Sequence, residues 1–211
     1  KKVYWDVVDE CYRCDMGYMT KCPYVPPHEW NVDFPHLMLR AKAQRFRNEG
    51  APLRDRLLSD TQRVGSLAGI PVVSGVVNAV NRTGAGRVVL EKTLGIDRSA
   101  PVPTYHSRTA RKRLSASVAD RPDETDRRAR AAGGTRGRVM LYTTCYGDRN
   151  APEICADLVA VFEHNDIPVA IGRSEACCGM PKLELGDLES VARAKEQNIP
   201  ALIEWVRSGW D

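Results

Sequence analysis

The sequence has little that reads as a signal peptide: Lys1-Lys2 is followed by Val3, Tyr4 and Trp5 and then by Asp6, so no apolar h-region is expected from these residues. It also lacks the even cysteine count of a complete disulfide framework, having 7 cysteines in 211 residues. Apolar residues make up 43% and charged residues 27%, so an ordinary core can form without covalent staples. Clustered cysteines in such a chain predict metal or redox chemistry in a reducing compartment. A clean membrane-spanning run is missing too. Val64 to Asn81 carries no charge over 18 residues, but Gly65, Gly69, Pro71, Gly75 and Asn78 interrupt it. Pro71 would break a single helix at its centre, which predicts two short buried helices meeting there. No acid–base pair, nucleophile triad or phosphate loop is visible. Gly84-Ala85-Gly86 follows no strand, so it is a poor nucleotide signal. The Asn81-Arg82-Thr83 sequon has no use in a reducing compartment.

What is present is uneven. The net charge is +4, yet His106 to Arg138 alone carries ten basic and four acidic residues, so the rest sums to −2. Residues 97–137 are rich in Arg, Ala, Ser, Thr, Pro and Gly and poor in apolar periodicity. They predict a flexible linker, because they bury too little surface to offset the entropy of ordering. The segment has no interleaved aromatics and no scaffold, which argues against nucleic-acid binding.

Before the linker, residues 1–96 read as all-helical. Val3, Val7, Val8 and Cys11 fall at helical spacing, placing Cys11 and Cys14 near a helix end. Asp33 is an N-cap candidate with Pro35 just inside the next helix, and Gly50 is its stop. Leu53–Gln62, Pro71–Val80 and Gly86–Leu94 read as further short helices. After the linker, residues 138–211 change character. Arg138–Thr144 and Ile167–Ile171 read as strands, Ala151–Asn165 and Leu188–Arg207 as helices, the last bent at Pro200. Strand, helix, strand, helix predicts a parallel α/β unit.

Two cysteine groups carry the chemistry. The first is Cys11-x2-Cys14-x7-Cys22-Pro23. Thiolates two residues apart followed by Cys-Pro suit a cubane cluster, although Gly17 stands where a third cysteine would fall. A zinc knuckle or three structural thiols are the alternatives. The second group is Cys145 with Cys177-Cys178-Gly179. Cys145 falls just past a predicted strand end, where α/β folds place ligands. Gly179 permits the sharp turn that lets adjacent thiolates reach one cofactor. A buried pair or a vicinal disulfide is the plainer alternative. Cys155 sits among Ile154, Leu158 and Val159 and reads as a buried thiol. His28 and His36 flank the first group as possible metal ligands, His28 reading better as positional; His164 falls near a helix C-terminus, where a capping or dipole role is enough, and His106 falls in the linker.

The string Cys22-Pro23-Tyr24-Val25-Pro26-Pro27-His28-Glu29-Trp30 and the string Glu175-Ala176-Cys177-Cys178-Gly179-Met180-Pro181-Lys182 resemble the heterodisulfide-reductase-related iron–sulfur proteins. This group includes proteins of the type of the C subunit of anaerobic glycerol-3-phosphate dehydrogenase. The resemblance covers nearly the whole chain apart from the arginine-rich segment. It implies an α-helical ferredoxin-like domain over 1–96 with [4Fe–4S] clusters, and a C-terminal α/β CCG domain (βαβα) over 138–211. By position it implies ferredoxin-type ligands at Cys11, Cys14 and Cys22, and CCG ligands at Cys145, Cys177 and Cys178. It implies electron transfer beside a flavin-containing dehydrogenase partner, in the cytoplasm or peripherally on the cytoplasmic face of the inner membrane. It also implies further cysteines before Lys1 and after Asp211, so the ligand sets within this chain are incomplete. The competing expectation is a zinc-binding structural module without redox activity.

Overall fold

The computed structural model describes residues 2–20, 22–115, 118, 137–172 and 175–210. The described residues divide into two compact units, Lys1–Asp60 with Gly179–Arg193, and Thr61–Cys178 with Ala194–Asp211.

The first unit is helical. Helices α1 (Lys2–Glu10), α2 (Met16–Thr20), α3 (Phe34–Glu49) and α4 (Leu53–Ser59) are joined by a later pair, α11 (Met180–Leu185) and the start of α12 (Leu188–Arg207). The predicted start of α3 is realised: Asp33 caps it by accepting from the His36 N–H at 3.0 Å, and Pro35 lies in the first turn. Its end falls at Gly50, where φ is +72°. Helix α1 ends at Glu10, so Cys11 and Cys14 follow it in a loop. Val8 and Met38 are the buried apolar side chains here. Lys42 is buried beside them and pairs with Glu184 of α11. A buried ammonium is tolerable only with such a partner. Gly186 ends α11 at φ +88°, and a Cβ there would lie 2.6 Å from the Lys42 backbone. Glycine is what lets α11 approach α3 this closely.

The second unit contains α5 (Thr61–Ala68), α6 (Pro71–Arg82), α7 (Gly84–Leu94), α8 (Ala110–Leu114), β1 (Val139–Leu141), α9 (Thr144–Arg149), α10 (Pro152–His164) and β2 (Val169–Ile171), with the rest of α12. Strands β1 and β2 pair in parallel, Val139 with Val169, Met140 with Ala170, Leu141 with Ile171. Side chains alternate across the pair. Leu141 and Ile171 pack with Ala110, Leu114, Val118, Cys155 and Val159. Met140 and Ala170 pack with Trp205 and Trp210. Helices thus cover both faces, as a parallel sheet requires. The expected α/β unit is present as a small two-stranded sheet in a mostly helical chain.

Two expectations meet a different outcome. Helices α5 and α6 do meet at Pro71, but they are not buried. Leu67, Val72 and Val76 are 65%, 78% and 59% exposed, while the buried positions are the small residues Gly65, Ala68 and Ser74. Small side chains let these helices approach their neighbours, which leaves the valines outside. Among the described residues no single helix is long and apolar enough to cross a membrane; α5 and α6 pass that test only together and are bent by 104°. Second, part of the arginine-rich segment is structured. Thr109 caps α8 by accepting from the Lys112 N–H at 3.3 Å, and Ala110 and Leu114 are buried in the core. Of that expected linker, residues 116, 117 and 119–136 lie outside the described residues.

Candidate thiol site

The second cysteine group builds a cleft in the second unit. The predicted strand over Arg138–Thr144 stops at Leu141. Thr144 adopts φ +54° and its hydroxyl accepts from the Gly147 N–H at 3.2 Å, so the chain turns into α9 instead. This puts Cys145 in the first turn of α9. Cys177 lies in the irregular stretch 175–178 that precedes α11. Its backbone N–H donates to Gln62 Oε1 at 3.1 Å, and its carbonyl accepts from Asn198 Nδ2 at 3.3 Å. Asn198 also accepts from the Ala176 N–H at 2.7 Å, and the Tyr142 hydroxyl donates to the Ala176 carbonyl at 2.6 Å. Four polar contacts therefore hold two consecutive residues in place.

The result is a thiol pair. Cys145 Sγ lies 3.8 Å from Cys177 Sγ, and the Thr61 hydroxyl lies 3.4 Å and 3.6 Å from the two sulfurs. Both cysteines are half-buried, and Cys178 is exposed. The hydrogen bond shared with Cys177, reinforced by burial, pushes the Cys145 thiol up, with the Thr61 hydroxyl acting in the opposite direction. Burial, with the nearby Cys178 and Cys177, pushes the Tyr142 phenol up to about 12.

The remaining cleft wall is charged. Arg111, Asp148, Arg149 and Glu175 line it with both cysteines. Arg111 Nη2 donates to Glu175 Oε2 at 3.2 Å, and the Glu175 side chain is fully buried. Glu175 Oε1 and Arg111 Nε have no hydrogen-bond partner among the described residues. A Cβ on Gly172 would fall 1.5 Å from Glu175 Oε1, so this carboxylate occupies space that only a glycine leaves open.

Not all expected residues converge. Cys11 is half-buried with its carbonyl accepting from Lys42 Nζ at 2.9 Å; Cys14 is exposed; the Cys22 N–H donates to the Gly17 carbonyl at 3.0 Å. Among the described residues no three His, Cys, Asp or Glu side chains are gathered as a metal site. A Cβ at Gly17 would meet nothing within 4 Å, so a cysteine would fit at that position. Cys155 is buried in the core, with burial pushing its thiol up, in agreement with its reading as an inert thiol. His28 stacks edge-on with Tyr24 and Trp30 and accepts from the Trp30 N–H at 3.1 Å, a positional role; His36 pairs with Asp33 at 2.6 Å. The sequence reading missed Thr61, Gln62 and Asn198, which are remote in sequence from the cysteines they touch. It also assigned Arg111 to a linker.

Comparison with known proteins bears on this cleft directly. Residues 139–205 match the cysteine-rich domain family, CCG. They span both strands of the sheet and all three cysteines of the second group. The thiol cleft therefore draws its cysteines from a segment similar to the cysteine-rich CCG domain. Over 176 residues it is 24% identical to the C subunit of anaerobic glycerol-3-phosphate dehydrogenase from Escherichia coli strain K12, and equally to that from Escherichia coli O157:H7. Each match covers 83% of this chain and 41% of the relative. The chain thus spans about two fifths of the length of the curated relatives it matches. The resemblance drawn from the two cysteine strings is borne out by these matches. No solved structure matches the chain significantly.

Proposed function

We propose that this chain is the electron-transfer part of an iron–sulfur subunit in an oxidoreductase complex. The observation that carries the reading is the Cys145–Cys177 pair, two thiols in contact at one cleft of a cysteine-rich domain. Thiolate donors suit iron in a cluster, and Cys145, Cys177 and Cys178 are the residues that would hold it. Such a group supplies one-electron transfer when bound. The chain's own part is positional. Thr61 contacts both sulfurs, Gln62 and Asn198 fix the Cys177 backbone, and the Arg111–Glu175 pair sets the charge of the cleft wall. Hydrogen bonds and burial at the sulfurs are what tune a cluster's potential.

Neither cysteine group gathers three ligands among the described residues; the second brings two sulfurs into contact, whereas the first has Gly17 where a third thiolate would stand. The ferredoxin-like domain over residues 1–96 with [4Fe–4S] clusters remains part of the proposal. So do the flavin-containing dehydrogenase partner and a position in the cytoplasm or on the inner face of the membrane. The similarity to a subunit of anaerobic glycerol-3-phosphate dehydrogenase supports a redox complex; the flavin partner and the location rest on the resemblance of the two cysteine strings alone.

Anaerobic reconstitution with iron and sulfide, followed by metal counting, tests this. The expected outcome is thiolate-to-iron absorption that Cys145→Ser and Cys177→Ser each abolish, with fewer than about four irons per chain. A colourless chain holding stoichiometric zinc would replace this reading with a structural zinc module. About four irons with cubane absorbance that Cys11→Ser abolishes would show that the first group suffices after all.

A further inference from the structure

We propose that Cys145 and Cys177 are a modification site: in the metal-free chain they close to a reversible intrachain disulfide by exchange with a low-molecular-weight disulfide. The sulfurs are 3.8 Å apart and face a common cleft. A disulfide bond is about 2 Å long, so closure needs a relative movement of about 2 Å. The contacts around the pair leave that movement to the side chains. The Cys177 backbone is held at both its N–H, by Gln62, and its carbonyl, by Asn198. Cys145 belongs to α9, whose last turn is closed by the Asn150 N–H donating to the Tyr146 carbonyl at 2.8 Å. Thr61 touches both sulfurs through a single hydroxyl, which a rotation of either thiol can release. Both cysteines retain solvent access, so a small disulfide can reach them.

The step balances as follows. One thiolate of the pair attacks the small disulfide, forming a mixed disulfide and expelling one small thiolate. The second thiolate then attacks the protein sulfur of that mixed disulfide and expels the other. The pair loses two electrons, the small disulfide gains them, and two protons pass from the cysteines to two small thiols. Excess small thiol reverses both steps. The site is distinct in kind from the exposed Cys178, although that residue is adjacent in sequence, because the contact is made by Cys177.

The closed pair would also withhold two sulfurs from iron. That consequence rests on the function proposed above; the disulfide itself does not.

The test uses the full chain, stripped of metal with a chelator and incubated anaerobically in buffers of varied reduced-to-oxidised glutathione ratio. Free thiols are then alkylated, and intact mass and peptide maps are recorded. The expected result is a loss of two alkylation sites as the buffer becomes oxidising. The linked peptide should join Cys145 to Cys177, and excess reduced glutathione should recover both sites. Cys145→Ser should instead retain one glutathione as a mixed disulfide on Cys177. Equal alkylation of both cysteines at every ratio would overturn the proposal, and so would a linkage between Cys177 and Cys178. Iron uptake by the reduced and oxidised chains is measured separately. If the linkage forms but the reduced chain takes up no iron, the iron reading fails and the disulfide stands.

Discussion

At the scale of single residues, the site depends on groups whose identity is dictated by close approach. Gly172 is the clearest. Its hydrogen faces a buried carboxylate, and a methyl in its place would overlap Glu175 Oε1 at 1.5 Å. Gly172→Ala must therefore push Glu175 out of its position beside Arg111. Overpacking of this kind costs about 1–3 kcal/mol. The expected outcome in urea denaturation is a lower midpoint with an unchanged slope. An unaltered midpoint would mean that the carboxylate is held loosely. Nothing in the sequence around Gly172 announces this constraint, because Glu175 is an ordinary acidic residue until the fold buries it.

At the scale of elements, helix α12 shows how one element serves the thiol pair without carrying a cysteine. Its bounds, Leu188–Arg207, are those the sequence predicts, with Pro200 inside. Its apolar spacing makes it a helix, and Trp205 and Trp210 just beyond it anchor the end against Met140 and Ala170. The spacing gives no hint that Asn198 reaches across to Ala176, Cys177 and Tyr142. Asn198 is buried, so truncating it removes its hydrogen bonds to the Ala176 N–H and the Cys177 carbonyl. Each hydrogen bond lost costs about 1 kcal/mol. Asn198→Ala is thus expected to lower stability by about 2 kcal/mol or more. Alkylation of Cys177 should also become faster, because its backbone loses a tether. Unchanged alkylation kinetics would show that Gln62 alone positions the thiol.

Elements also explain where prediction and structure part. The short strands are three residues each, shorter than the apolar runs that predict them. In β1 the cause is Thr144, whose hydroxyl pairs with the following turn and draws the chain into α9. In α5 and α6 the apolar run reads as core, yet packing is made by Gly65, Ala68 and Ser74. Hydrophobicity says which segments can be buried; shape complementarity says which faces are.

For the whole molecule, pH reports on the site. The Tyr142 phenol is raised to about 12, while an unfolded tyrosine titrates near 10. The folded chain therefore holds this proton more tightly than the unfolded one does. The corresponding stability is complete below about pH 10 and is lost as pH rises through about 12. The unfolding midpoint is expected to fall over that window, and Tyr142→Phe should flatten the fall. Equal slopes for both proteins would sink the assignment. The residue is only partly buried, so the size of the effect is screened by solvent.

Sequence alone determined the local features. The Asp33 cap, the Gly50 stop, the helical N-terminal part, the two parallel strands and the similarity to the cysteine-rich domain all follow from patterns a few residues long. Caps, periodicity and turn glycines act through neighbours in the chain, so they are legible there. The tertiary structure decided which cysteines meet. Cys145 and Cys177 are brought into contact by Thr61, Gln62 and Asn198, residues that only the folding of distant segments places around them. Cys178, next in sequence, is left exposed. The same packing set Arg111 against the buried Glu175 and made Gly172 obligatory. These contacts depend on three-dimensional proximity and close packing, which spacing along the chain does not encode.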